Sequence, residues 1–123
     1  MRSSGRCTCY PGVTVWFTAL SAPAAHLDAA AGLLAERLGA DGRRVAILRE
    51  RPPDDLHRVA VTAEVLARNG MVAIAVAGGS NETAMARHRA SSTALVEIPV
   101  EPGRSPEQSA RAAHTLLAAR GLA

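Results

Sequence analysis

Gly12-Val13-Thr14-Val15-Trp16-Phe17-Thr18-Ala19-Leu20-Ser21-Ala22-Pro23 is the stretch on which the fold turns. Its first half is a run of β-branched and aromatic residues with no charge, the pattern of a buried strand. Its second half is a short turn of small residues, and Pro23 suits the first position of a helix because it lacks only an N–H that a helix start leaves unpaired anyway. Leu27, Ala31, Leu34 and Leu38 then recur at helical spacing, and Gly39 is expected to end that helix.

The same alternation continues outward along the chain. Arg44 to Leu48 reads as a second strand, and Pro52-Pro53 stops it. Asp54 or Asp55 can cap a helix whose apolar face is Leu56, Val59, Ala60, Ala63, Leu66 and Ala67, closed by Asn69-Gly70. The unbroken apolar run Met71 to Ala77 predicts a strand covered on both faces. A short helix is expected from Ser80 or Asn81 to about Arg89. Leu95 to Val100 reads as a fourth strand, placed near an edge because Pro99 cannot donate to a ladder. Ser105-Pro106-Glu107-Gln108 has the capping-box pattern, and the helix it starts turns Ala113, Leu116 and Leu117 inward and stops at Gly121. Strand–helix alternation with short links predicts an α/β fold, a three-layer α/β/α arrangement around a mostly parallel four-stranded sheet. Residues 1–12 read as a flexible N-terminal arm and residues 13–123 as a single domain.

Composition narrows the function classes. The 123 residues are 48% apolar, enough for one core, but Tyr10, Trp16 and Phe17 are the only aromatics. The core must therefore be built from Ala, Val, Leu and Ile, which predicts modest stability and makes a partner surface useful. The net charge is only +3, every basic residue is Arg, and there is no Lys at all. Lysine chemistry is excluded. Scattered arginines without aromatic platforms do not indicate nucleic-acid binding. No apolar run approaches the roughly 20 residues that span a bilayer, so a cytoplasmic location without membrane contact is expected. Cys7 and Cys9 fall short of the about four ligands of a tetrahedral metal site, and no second Cys/His pair has finger-like spacing; reduced thiols are expected, and no metal.

In an open parallel sheet, ligands bind at the carboxyl ends of the strands. The turn after the first strand is therefore the place to read most closely. The string from Gly12 to Ser21 resembles the opening of adenylylsulfate (APS) kinases, in which G-x-T-V-W-F-T-G-L-S leads into G-x-G-K-[ST]. Arg58-Val59 followed by Ala63-Glu64-Val65-Leu66-Ala67-Arg68-Asn69-Gly70 is similar to that family's helix before its third strand. Arg87-His88-Arg89-Ala90-Ser91-Ser92-Thr93, followed by Val96-Glu97-Ile98-Pro99-Val100, resembles its R-x-R-H-x-A-S-x-T and the strand beyond. The resemblance runs in order through most of residues 12–101 and implies a truncated P-loop-kinase-like fold.

The departures fall where the chemistry should be. A phosphate loop, G-x-x-x-x-G-K-[ST], needs glycines to curl its backbone, a lysine for the phosphate oxygens and a hydroxyl for magnesium. Across Ala19, Ser21, Ala24, Ala25 and His26 the aligned glycines are Ala19 and Ala24, the lysine is Ala25 and the hydroxyl is His26. Pro23 removes a further backbone donor. A charge-assisted hydrogen bond contributes roughly 1.5–3 kcal/mol, so losing several together leaves little of a triphosphate cradle. The family's acidic L-D-G-D strand end reads Leu48-Arg49-Glu50-Arg51, its substrate-reaching segment is missing, and only Arg58 remains of a pair of arginines.

These readings imply a non-catalytic homologue, a pseudokinase with no catalytic residue and no cofactor. It would act as a binding, regulatory or assembly subunit linked to sulfur metabolism, as a homodimer or in a heteromer. Arg49, Arg51, Arg58 and Ser80 would converge at the strand ends as a weak anion site; the bland reading of the same residues is a solvated loop with local Arg–Glu pairs. The alternative is an enzyme, either a residual APS kinase transferring phosphate from ATP to the 3′-hydroxyl of APS or one acting on another anionic substrate. His26, His57, His88 and His114 show no orienting partner or ligand spacing in the sequence.

Overall fold

A computed structural model of the chain describes residues 11–18, 24–49, 56–76, 94–100 and 103–122. They form four strands and three helices: β1 (Val13–Thr18), α1 (Ala24–Ala40), β2 (Val45–Arg49), α2 (Leu56–Arg68), β3 (Val72–Val76), β4 (Ala94–Pro99) and α3 (Pro106–Ala119). The short helix expected near residues 80–89 lies outside the described residues, as does the arm over residues 1–10.

The sheet is wholly parallel, with strand order β2-β3-β1-β4. Val13 pairs with Val72 on one side and Ala94 on the other, while Val45 pairs with Val72 from beyond. The two inner strands are covered on both faces: Val13 to Phe17, the polar Thr14 among them, and Val72 to Val76 are buried at every residue. Among the described residues β4 pairs only with β1, so Pro99, opposite Thr18, sits on an edge strand, where its missing donor is tolerated.

Alternation sorts the strands into two faces. Val13, Val15, Phe17, Val72, Ile74, Val76, Val96 and Ile98 point to one side and pack on Leu27, Ala30, Ala31, Leu34 and Leu38 of α1 and on Ala110, Ala113 and Leu117 of α3. Trp16 and Ala75 point to the other, where Val59 and Ala60 of α2 cover them and Leu48 and Leu95 pack alongside. This is the three-layer arrangement expected from the alternation. Ala30 and Ala31 of α1 and Ala110 and Ala113 of α3 are fully buried in this one cluster, where small side chains permit dense packing without large ones.

The helix ends are well defined. Ser105 Oγ accepts from Gln108 N (3.1 Å) while Gln108 Oε1 accepts from Ser105 N (2.9 Å), a complete capping box. All three helices end in the Schellman arrangement, with paired bonds such as Gly70 N to Ala67 O and Met71 N to Leu66 O. Among the described residues the left-handed ones are Gly42, Gly70 and Gly121, with φ of 86°, 80° and 73°. Gly42 rather than Gly39 therefore stops α1: Gly39 retains helical backbone, and the chain turns only where a positive φ is needed.

Candidate functional site

The carboxyl ends of β1 and β2 and the first turn of α1 form the described part of the expected site. Of the residues singled out from the sequence, Ala19, Ser21, Arg51 and Ser80 lie outside the described residues. Ala24 opens α1, with Ala25 exposed and His26 half-buried in the same turn. Those three side chains carry no amine and no hydroxyl. His26 Nε2 is shielded from solvent and has no hydrogen-bond partner among the described residues. Within the described part of α1 the N–H groups of this first turn have no acceptor, and a helix dipole makes such an end electropositive.

Arg49 closes β2. It continues the parity of Val45 and Ile47, which pack on the α1 side, and its register partner is Val76 of the same face. Its guanidinium accordingly reaches α1, where Nε donates to Asp28 Oδ1 at 2.7 Å. Both side chains are about half exposed, 50% for Arg49 and 46% for Asp28. Arg58 lies exposed in the first turn of α2, the helix that covers the opposite face. The two arginines thus stand at one end of the sheet but belong to different layers, and the partner at Arg49 is an acid from α1.

Asp28 was not visible as a site residue in the sequence, because nothing local marks it. The one usable signal was parity: a side chain two positions beyond Ile47 must emerge on the face that carries the first helix. Among the described residues no group of three or more His, Cys, Asp or Glu could hold a metal ion, and no helix is long and apolar enough to cross a membrane. His114, on α3, bonds Asp41 at 2.7 Å at the opposite end of the sheet.

No protein-family model matches the chain, and no curated protein matches it. Solved structures do. A cysteine-to-alanine mutant of the APS kinase CysC from Mycobacterium tuberculosis superposes with a TM-score of 0.74 at 20% identity, covering 89% of this chain and 99% of that one. The hexameric APS kinase from Thiobacillus denitrificans matches with a TM-score of 0.74 at 19% identity over 93% of this chain and 30% of its own. The likeness is one of fold: this chain has the architecture of those APS kinases, a parallel four-stranded sheet between helices.

Proposed function

We propose that the chain is a non-catalytic relative of APS kinases, retained as a binding, regulatory or assembly subunit that holds an anionic ligand weakly. The observation that carries this reading is the first turn of α1. In the APS-kinase architecture that turn follows the first strand, where a phosphate loop would present its lysine and hydroxyl, and here it carries Ala24, Ala25 and His26. Magnesium and a triphosphate do not fit those residues, which offer neither an amine nor a hydroxyl. What the site keeps is a helix N-terminus and, across from it, the Arg49 guanidinium, both suited to a sulfate or phosphate group.

A thermal-shift series with ATP, ADP, APS, 3′-phospho-APS and inorganic sulfate, each with and without magnesium, tests the reading. A ligand that binds only the folded state raises its stability by RT ln(1 + [L]/Kd). The expected pattern is a shift with sulfate-bearing ligands that magnesium does not alter. Magnesium-dependent stabilisation by ATP, or phosphorylation of APS, would establish the alternative enzyme reading instead. Light scattering on the same samples tests the assembly role, for which a dimer or a mixed complex is the expected state.

A further inference from the structure

We infer that Asp28 is a built-in counter-anion that competes with the ligand for Arg49 and so sets the strength of anion binding at this strand end. The inference rests on the anion-binding reading above. A carboxylate and a sulfate or phosphate are alternative partners for one guanidinium, each an oxyanion that accepts charge-assisted hydrogen bonds. In the structure Asp28 Oδ1 already holds Arg49 Nε at 2.7 Å. An incoming anion must displace that carboxylate or share the guanidinium with it, and sharing sets two negative charges against each other.

Exposure decides that the contact is a competitor rather than a lock. With both side chains about half in water, the pair is weak and exchangeable. The architecture does not depend on it either. Asp28 is the fifth residue of α1, and the helix is seated by its neighbours Leu27, Ala31 and Leu34, all buried against the sheet. β2 is held by its ladder to β3 from Val45 to Arg49. An acid at position 28 therefore lowers affinity for anions at Arg49 without being required by the fold.

The test is a titration of the full chain with inorganic sulfate, with sodium chloride at matched ionic strength as the control. Backbone amide shifts in α1 and β2 report binding, and far-UV circular dichroism checks the fold. Three proteins are compared: wild type, Asp28→Asn and Asp28→Asn/Arg49→Gln. Asparagine keeps the size of the side chain and removes its charge. The expected result is sulfate binding two- to five-fold tighter in Asp28→Asn, the range that removing a weak exposed pair permits, with the gain lost in the double variant. Sulfate binding by wild type that is unchanged or weaker in Asp28→Asn would overturn the inference and leave the anion reading intact. A gain that survives in the double variant would overturn it too, because the acid would then act at a distance and not through Arg49. Loss of fold in Asp28→Asn would make the pair a structural brace. If no protein responded to sulfate beyond the chloride control, the inference and the anion reading would fall together.

Discussion

Arg49 and Asp28 stand 21 positions apart in the chain and meet at 2.7 Å, one at the end of a strand and the other in the second turn of the helix laid across it. The contact couples the second strand to the first helix at the end of the sheet where ligands bind in this architecture. Its exposure limits what it contributes to stability. Arg49→Gln and Asp28→Asn are each expected to change the unfolding free energy by less than about 1 kcal/mol. Urea denaturation with an unchanged m-value checks this, and a loss well above that figure would identify the pair as part of the frame.

Gly12 gives the opposite expectation. A β-carbon there would lie 1.8 Å from the carbonyl oxygen of Ala67 and 2.6 Å from its carbon, both backbone atoms. Backbone held in a Schellman turn cannot swing away as a side chain would, so the strand and the end of α2 would have to part. Gly12→Ala is expected to destabilise by more than the 1 kcal/mol or so of an ordinary surface change, on the order of 2–4 kcal/mol. Thermal and urea melts measure it.

The inner part of the sheet is legible in the sequence. The unbroken apolar run at Val72 marks a strand buried on two faces, the β-branched and aromatic run from Val13 marks a second buried strand, and the capping box at Ser105 marks the start of α3. Helix ends were less legible: Gly39 and Gly42 are both glycine, and only the backbone reveals that the second takes the positive φ. The site was the least legible part. Ala24, Ala25 and His26 could be placed at the head of α1 by position in the chain, but the partner of Arg49 depends on which face a strand end presents and which helix lies there. That is a long-range relationship, and no local motif encodes it.

The three left-handed glycines allow a sharper test of backbone against side chain. Gly70→Ala forces an alanine to φ near 80°, a conformation that costs about 1 kcal/mol or more for a residue with a β-carbon. Ser105→Ala removes a cap at the other kind of helix end and is expected to cost about 1 kcal/mol. The two sites lie on different helices, so the double variant should lose the sum of the two to within about 0.5 kcal/mol. Equilibrium unfolding of the two single variants and the double checks both values and their independence.

Leu34 is the position where the aromatic-poor composition should be felt most. It is fully buried in α1, in a cluster where Ala30, Ala31, Ala110 and Ala113, with no freedom to move into a vacated space, stand beside Leu27, Leu38 and Leu117. Closing a cavity there would require α1 to shift against α3 and the sheet together, so the site should collapse poorly. Leu34→Ala is therefore expected toward the upper part of the usual 2–5 kcal/mol range for such a truncation. Leu34→Met, which conserves volume, should cost less than about 1.5 kcal/mol. A domain of this size has roughly 5–15 kcal/mol in total, so Leu34→Ala should bring the chain close to unfolding at 37 °C while the methionine variant stays folded. Thermal melts of the two variants side by side measure this, and near-equal losses would mean that the α1–α3 contact is looser than its alanine packing implies.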